Sequence, residues 1–175
     1  GMHRLSAPVK LWYKGPMFRY ERPQAGRQRQ FHQVGMEMFG IKEATADAEA
    51  IAIAVRFLNA LGLNDLDVEI NSLGCPECRE IFKNKLKDVI RPYLSDLCED
   101  CQTRFEKNPL RLLDCKVESC KEIYAKPEIQ EVIQSEFICQ DCSEHFTNLK
   151  SYLDTLGIRY SVNKLLVRGL DYYNR

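Results

Sequence analysis

Two groups of side chains in this sequence could carry chemistry. The first is a run of arginines: Arg19, Arg22, Arg27 and Arg29 lie close together, flanking Pro23-Gln24-Ala25-Gly26. A guanidinium stays charged at any working pH and forks onto two oxygens at once, so arginines folded together by a tight loop make a grip for polyphosphate. A solvated hairpin with charges for solubility is the plainer reading of the same residues. The second group is the eight cysteines. They fall in close pairs: Cys75 with Cys78, Cys98 with Cys101, Cys115 with Cys120, and Cys139 with Cys142. Two pairs complete one tetrahedral thiolate site, so four can complete two structural zinc sites. A nested arrangement is simplest along the chain. Cys98, Cys101, Cys115 and Cys120 would close an inner loop, and Cys75, Cys78, Cys139 and Cys142 would clamp its ends. Free buried thiols and disulfides are the other readings, and a reducing cytosol disfavours disulfides. The pairs sit away from the arginines, which argues against catalytic zinc. A third stretch, Leu166-Val167-Arg168-Gly169-Leu170-Asp171-Tyr172-Tyr173, sets an arginine beside a glycine and ends in two tyrosines. By spacing alone it is a strand end with packing tyrosines.

The elements that must position these residues follow from periodicity and turn chemistry. Residues 8–14 and 16–22 read as two strands joined at Gly15-Pro16, and 30–38 as a third, which together make an antiparallel meander. On the third strand Phe31, Gln33, Gly35 and Glu37 share one face. Residues 46–61 read as a helix, with Ile51, Val55 and Leu58 at helical spacing and Gly62 as its stop. A strand at 66–72 follows. Helices are expected at 77–91, 95–106, 128–135 and 143–156. The last of these carries Phe146, Leu149, Leu153 and Leu156 on one face, with Ser143 as its N-cap. Strands at 158–163 and from Leu170 close the pattern. The fold expected is α+β: an antiparallel sheet with flanking helices and a cysteine-rich helical insert. Residues 1–74 and 157–175 form part of the sheet domain, and 75–156 form the insert.

Charged residues make up 29% of the chain and the hydrophobic set 45%, an ordinary globular balance. The 25 Lys and Arg equal the 25 Asp and Glu. Zero net charge excludes a whole-surface grip on nucleic acid, so phosphate chemistry must be local. No apolar run is long enough to span a bilayer and no export signal is visible, so a cytoplasmic protein without membrane contact is expected. Gly1 ahead of Met2 reads as a cloning remnant, and the final strand breaks off early; both point to a piece of a longer protein.

Beyond these readings, Phe18-Arg19-Tyr20-Glu21-Arg22-Pro23-Gln24, followed by Gly26-Arg27-Gln28-Arg29-Gln30-Phe31-His32-Gln33, resembles motif 2 of class II aminoacyl-tRNA synthetases. Its form is that of the bacterial-type histidyl-tRNA synthetases. The stretch from Leu166 to Tyr173 is similar to the peptide that marks the same family. The resemblance covers nearly the whole chain. It implies an enzyme that activates histidine with ATP and Mg2+ and passes it to tRNA(His), working as a homodimer. It assigns Arg19 to the α-phosphate of ATP, and Glu21 and Arg27 to the ATP end of the site. Gln33 is assigned to the histidine α-amino group and Glu37 to the imidazole. Arg168 falls to the α-phosphate and the substrate carboxylate, Tyr173 to the imidazole, and Tyr172 to the same pocket wall. The family's motif 1, motif 3 and anticodon-binding domain are expected outside residues 1–175, so this stretch by itself is expected to be inactive. Two other readings compete. One is the synthetase-like regulatory subunit of ATP phosphoribosyltransferase, opposed by the presence of Arg19, Gln33, Glu37 and Arg168 together. The other is a non-enzymatic zinc module for nucleic acid, opposed by the neutral charge.

Overall fold

A computed structural model describes residues 6–167 of the chain. The expectations for Arg168, Tyr172, Tyr173 and the strand from Leu170 lie outside the described residues. The N-terminal part is a long antiparallel hairpin, β1 (Val9–Phe18) against β2 (Gln30–Phe39), in register from Val9 opposite Phe39 to Phe18 opposite Gln30. The expected break at Gly15-Pro16 does not occur, and the three-stranded meander is one hairpin. The reason is register. Arg19 N–H donates to the Arg29 carbonyl at 2.8 Å, which makes those residues a hydrogen-bonded pair. Alternation then sets Pro16 opposite His32 in a non-hydrogen-bonded pair, where its missing N–H costs the ladder nothing.

Helix α1 (Ala44–Ala60) buries Ala44, Ala48 and Ala52, while Ile51, Val55 and Leu58 stay half-buried. The small alanine side chains admit a close neighbour, which is α6 (Gln140–Thr155). Both helices end as their glycines require. Gly62 (φ 86°) donates to the Asn59 carbonyl and Leu63 to Leu58; Gly157 (φ 66°) donates to Asp154 and Ile158 to Leu153. Phe146, Leu149 and Leu153 of α6 are buried as expected, but Leu156 is the C-cap and is exposed.

Between α1 and α6 run β3 (Glu69–Ile70), α2 (Pro76–Ile90), a 3-10 segment (Arg91–Asp96), α3 (Glu99–Lys107), a 3-10 turn (Pro109–Leu112), α4 (Glu118–Tyr124) and α5 (Pro127–Gln134). Helix α4 was not expected, and α3 begins at Glu99 rather than 95 because the chain through Pro92 winds as 3-10 helix. β4 (Ser161–Val162) lies parallel to β3, so the chain returns beside its departure point after the helices.

Two cores result. One gathers Leu86, Ile90, Leu97, Phe105, Leu112, Ile123, Ile129 and Ile133 with Cys101, Cys115 and Cys120 among them. The other joins Ala44 and Ala48 of α1, Ile70 of β3, and Phe146, Leu149 and Leu153 of α6. No helix of the described residues is long and apolar enough to cross a membrane.

Candidate active-site face and cysteine clusters

Register decides what the hairpin presents. Pairing Arg19 with Arg29 puts Arg19, Tyr13 and Leu11 on the face of Phe31, Gln33, Gly35 and Glu37. The Arg19 guanidinium lies 4.5 Å over the Phe31 ring, and its Nε donates to the Gln28 carbonyl at 2.8 Å. Stacking and hydrogen bond together hold the planar fork over the face. In the loop, Gly26 (φ 72°) closes a turn in which Gln24 and Arg27 exchange backbone hydrogen bonds, and Arg27 forms an ion pair with Glu21. Arg29 braces the loop through the Glu21 carbonyl at 3.2 Å.

Further along, Gln33 donates to the Tyr13 hydroxyl at 2.8 Å. Tyr13 lies across Gly35, so closely that a Cβ there would meet its ring carbon at 2.2 Å. Gln33 and Glu37 are both exposed. The face therefore reads, in order, guanidinium, aromatic ring, amide with phenol, bare backbone, carboxylate. Tyr13 was not singled out from the sequence. Its relation to Gln33 spans the hairpin, and the only local signal was the glycine between Gln33 and Glu37.

The cysteines converge into two quartets. Cys75, Cys78, Cys139 and Cys142 bring their sulfurs within 4.8 Å of one another, and so do Cys98, Cys101, Cys115 and Cys120. All eight are free thiols. Cys75 and Cys78 sulfurs stand 3.4 Å apart, and those of Cys98 and Cys115 3.9 Å apart. A tetrahedral ion with metal–sulfur bonds of about 2.3 Å requires sulfurs about 3.8 Å apart.

Local structure explains the convergence. Cys75, Cys98 and Cys139 are the N-caps of α2, α3 and α6, and Cys78, Cys101 and Cys142 follow in the first turns. Ser143, expected as the cap of α6, lies inside that helix. Three amides aim at sulfurs of another element: Cys75 to Cys142 at 3.2 Å, Cys139 to Cys78 at 3.1 Å, and Cys98 to Cys120 at 3.3 Å. Helix N-termini and amide donors favour thiolate.

Without a cation the quartets titrate unevenly. The Cys101 and Cys142 amides draw the Cys98 and Cys139 thiols below the ordinary thiol range. Burial pushes Cys101 up to about 12 and raises Cys120 and Cys142. Four thiolates so close need a divalent cation to coexist.

The chain is similar to known proteins over nearly its whole length. The histidyl-tRNA synthetase family model matches residues 2–82. The chain is 51% identical to the histidine–tRNA ligase of Desulforamulus reducens, over 99% of this chain and 41% of that protein. It is 49% identical to that of Caldanaerobacter subterraneus subsp. tengcongensis, over 100% of this chain and 41% of that protein. A crystal structure of apo Staphylococcus aureus histidyl-tRNA synthetase superposes with a TM-score of 0.71 at 34% identity, covering 99% of this chain and 38% of that one. Fold and sequence agree on the class, an α+β segment of a class II synthetase. The chain is similar to histidyl-tRNA synthetases over nearly its whole length, and it spans about two fifths of the length of the curated relatives it matches.

Proposed function

We propose that the protein containing this chain is a histidine–tRNA ligase and that the open hairpin face is part of its active site. The observation that carries the reading is the row Arg19, Tyr13–Gln33 and Glu37 on one exposed face. The histidine carboxylate attacks the α-phosphorus of ATP, pyrophosphate leaves, and a terminal ribose hydroxyl of tRNA(His) then takes the acyl group with loss of AMP. The first step needs in-line positioning and positive charge where phosphoryl charge develops. Arg19 supplies that charge from the hairpin and Arg168 from the second motif. Mg2+ enters with ATP and neutralises its phosphates. The Glu21–Arg27 pair keeps the loop in shape at the ATP end.

Gln33 meets the substrate amino group. Glu37 accepts the imidazole N–H, with Tyr172 and Tyr173 closing the pocket. Tyr13 joins this set as the group that orients Gln33. A pocket of this kind rejects a side chain without ring nitrogens, because each buried polar group left unpaired costs about 1–3 kcal/mol.

In this reading residues 1–74 and 157–175 contribute to the catalytic core and 75–156 form the insert. The cysteine quartets hold structural Zn2+, the ion that four thiolates at tetrahedral spacing select. The whole protein works in the cytoplasm as a homodimer. The test is charging: the full-length protein should esterify tRNA(His) with histidine in the presence of ATP. A full-length protein that binds histidine but charges no tRNA would instead be the regulatory subunit of an ATP phosphoribosyltransferase.

A further inference from the structure

We infer that the two quartets are unequal zinc sites: the inner one is closed and retains its ion, while the outer one is a labile clasp that joins the two cores and empties first. This rests on the zinc reading above and adds to it a difference in exchange and a mechanical role.

The inner sulfurs lie within a hydrophobic core. Cys101 and Cys120 are 0% exposed and Cys115 8%, packed among Leu97, Phe105 and Leu112, and Cys98 is half-buried against the same core. With three of its four ligands out of solvent, this site gives a chelator a hold on Cys98 alone until the helices open.

The outer sulfurs are differently placed. Cys78 and Cys142 are buried, but Cys139 is exposed and Cys75 is half-buried. Cys75 also lines an open hollow of about 820 Å³ that it shares with Asn71 and His145. Water and small chelators therefore reach two of the four ligands without unfolding.

The outer site is also the joint of the molecule. Helix α2 carries Leu86 and Ile90 into the first core, whereas α6 carries Phe146, Leu149 and Leu153 into the second. Their N-termini meet at the four cysteines, through the reciprocal bonds of Cys75 to Cys142 and Cys139 to Cys78. Gly74 fits this junction alone. Its φ is 72°, and a Cβ there would lie 2.6 Å from the Cys78 Cβ and 3.2 Å from its sulfur.

The experiment follows zinc release from the full-length protein with a colorimetric zinc indicator under excess chelator, after metal analysis of protein purified without added zinc. Two ions per chain are expected, leaving in two phases at rates separated by about tenfold or more. Cys139→Ser should abolish the fast phase and preserve the slow one. Gly74→Ala, which retains all eight thiols, should accelerate the fast phase alone. Release in one phase, or loss of the slow phase in Cys139→Ser, overturns the inequality while leaving the zinc reading standing. Protein that carries no zinc and takes up none on titration overturns the zinc reading itself.

Discussion

The amide of Cys139 donates to the sulfur of Cys78, 3.1 Å away and 61 residues earlier in the chain. The bond is matched by one from Cys75 to Cys142. Each helix of the pair thus stabilises charge on a sulfur of the other. Serine at position 78 would keep an acceptor for the Cys139 amide but supply no thiolate. Cys78→Ser is expected to lower the zinc content of the full-length protein by one ion per chain and to lower its melting temperature by several degrees. Metal analysis and calorimetry check this. Unchanged zinc content would remove Cys78 from the ligand set.

Gly35 is held bare by Tyr13. In Gly35→Ala the new Cβ would meet the end of the Tyr13 side chain, which is flexible and partly exposed and so can swing away. Stability should change by less than about 1 kcal/mol. The Gln33–Tyr13 hydrogen bond should be lost, and KM for histidine should rise about tenfold with little change in that for ATP. Equal effects on both substrates would place Tyr13 outside the histidine pocket.

Leu153 is fully buried between α1 and α6, whereas Leu156 one turn on is exposed. Leu153→Ala should cost about 2–5 kcal/mol in urea unfolding. Leu156→Ala should stay within about 0.5 kcal/mol. Similar losses from both would mean that the second core extends past the helix end.

The Tyr93 hydroxyl donates to Glu128 at 2.5 Å, tying the 3-10 segment after α2 to α5. The bond holds the Glu128 carboxyl below its usual range, so its stabilisation is present at neutral pH and is lost as pH falls through the lowered value. Tyr93→Phe should flatten the acid limb of the stability profile slightly and leave the neutral melting temperature nearly unchanged, since the hydrogen bond and the Glu128 carboxyl are exposed and the half-buried ring is kept. A large loss at neutral pH would contradict that placement.

What the sequence disclosed, and what it withheld, follows physical lines. Gly62 announced a helix end because a positive φ is a local demand. The cysteine spacings pointed to the same two quartets that converge in space, because nested short loops leave few alternatives. Pro16 misled, since whether its missing N–H matters depends on register with a strand beyond the loop. Ser143 misled as a cap because hydroxyl statistics favour it, whereas Cys139 occupies the cap position through sulfur contacts across the molecule. Tyr13 went unnoticed for the same reason as Pro16: its partner lies 20 residues away across the hairpin. Helix α4 is only 7 residues long and has no side-chain cap to announce it.

The most direct test of the account is ATP–pyrophosphate exchange by the full-length protein, wild type against Arg19→Ala. The account predicts exchange that requires histidine and falls about 100-fold or more in the variant, as expected when a donor aimed at developing phosphoryl charge is removed. Exchange that proceeds without histidine, or that survives the loss of Arg19 undiminished, would contradict it.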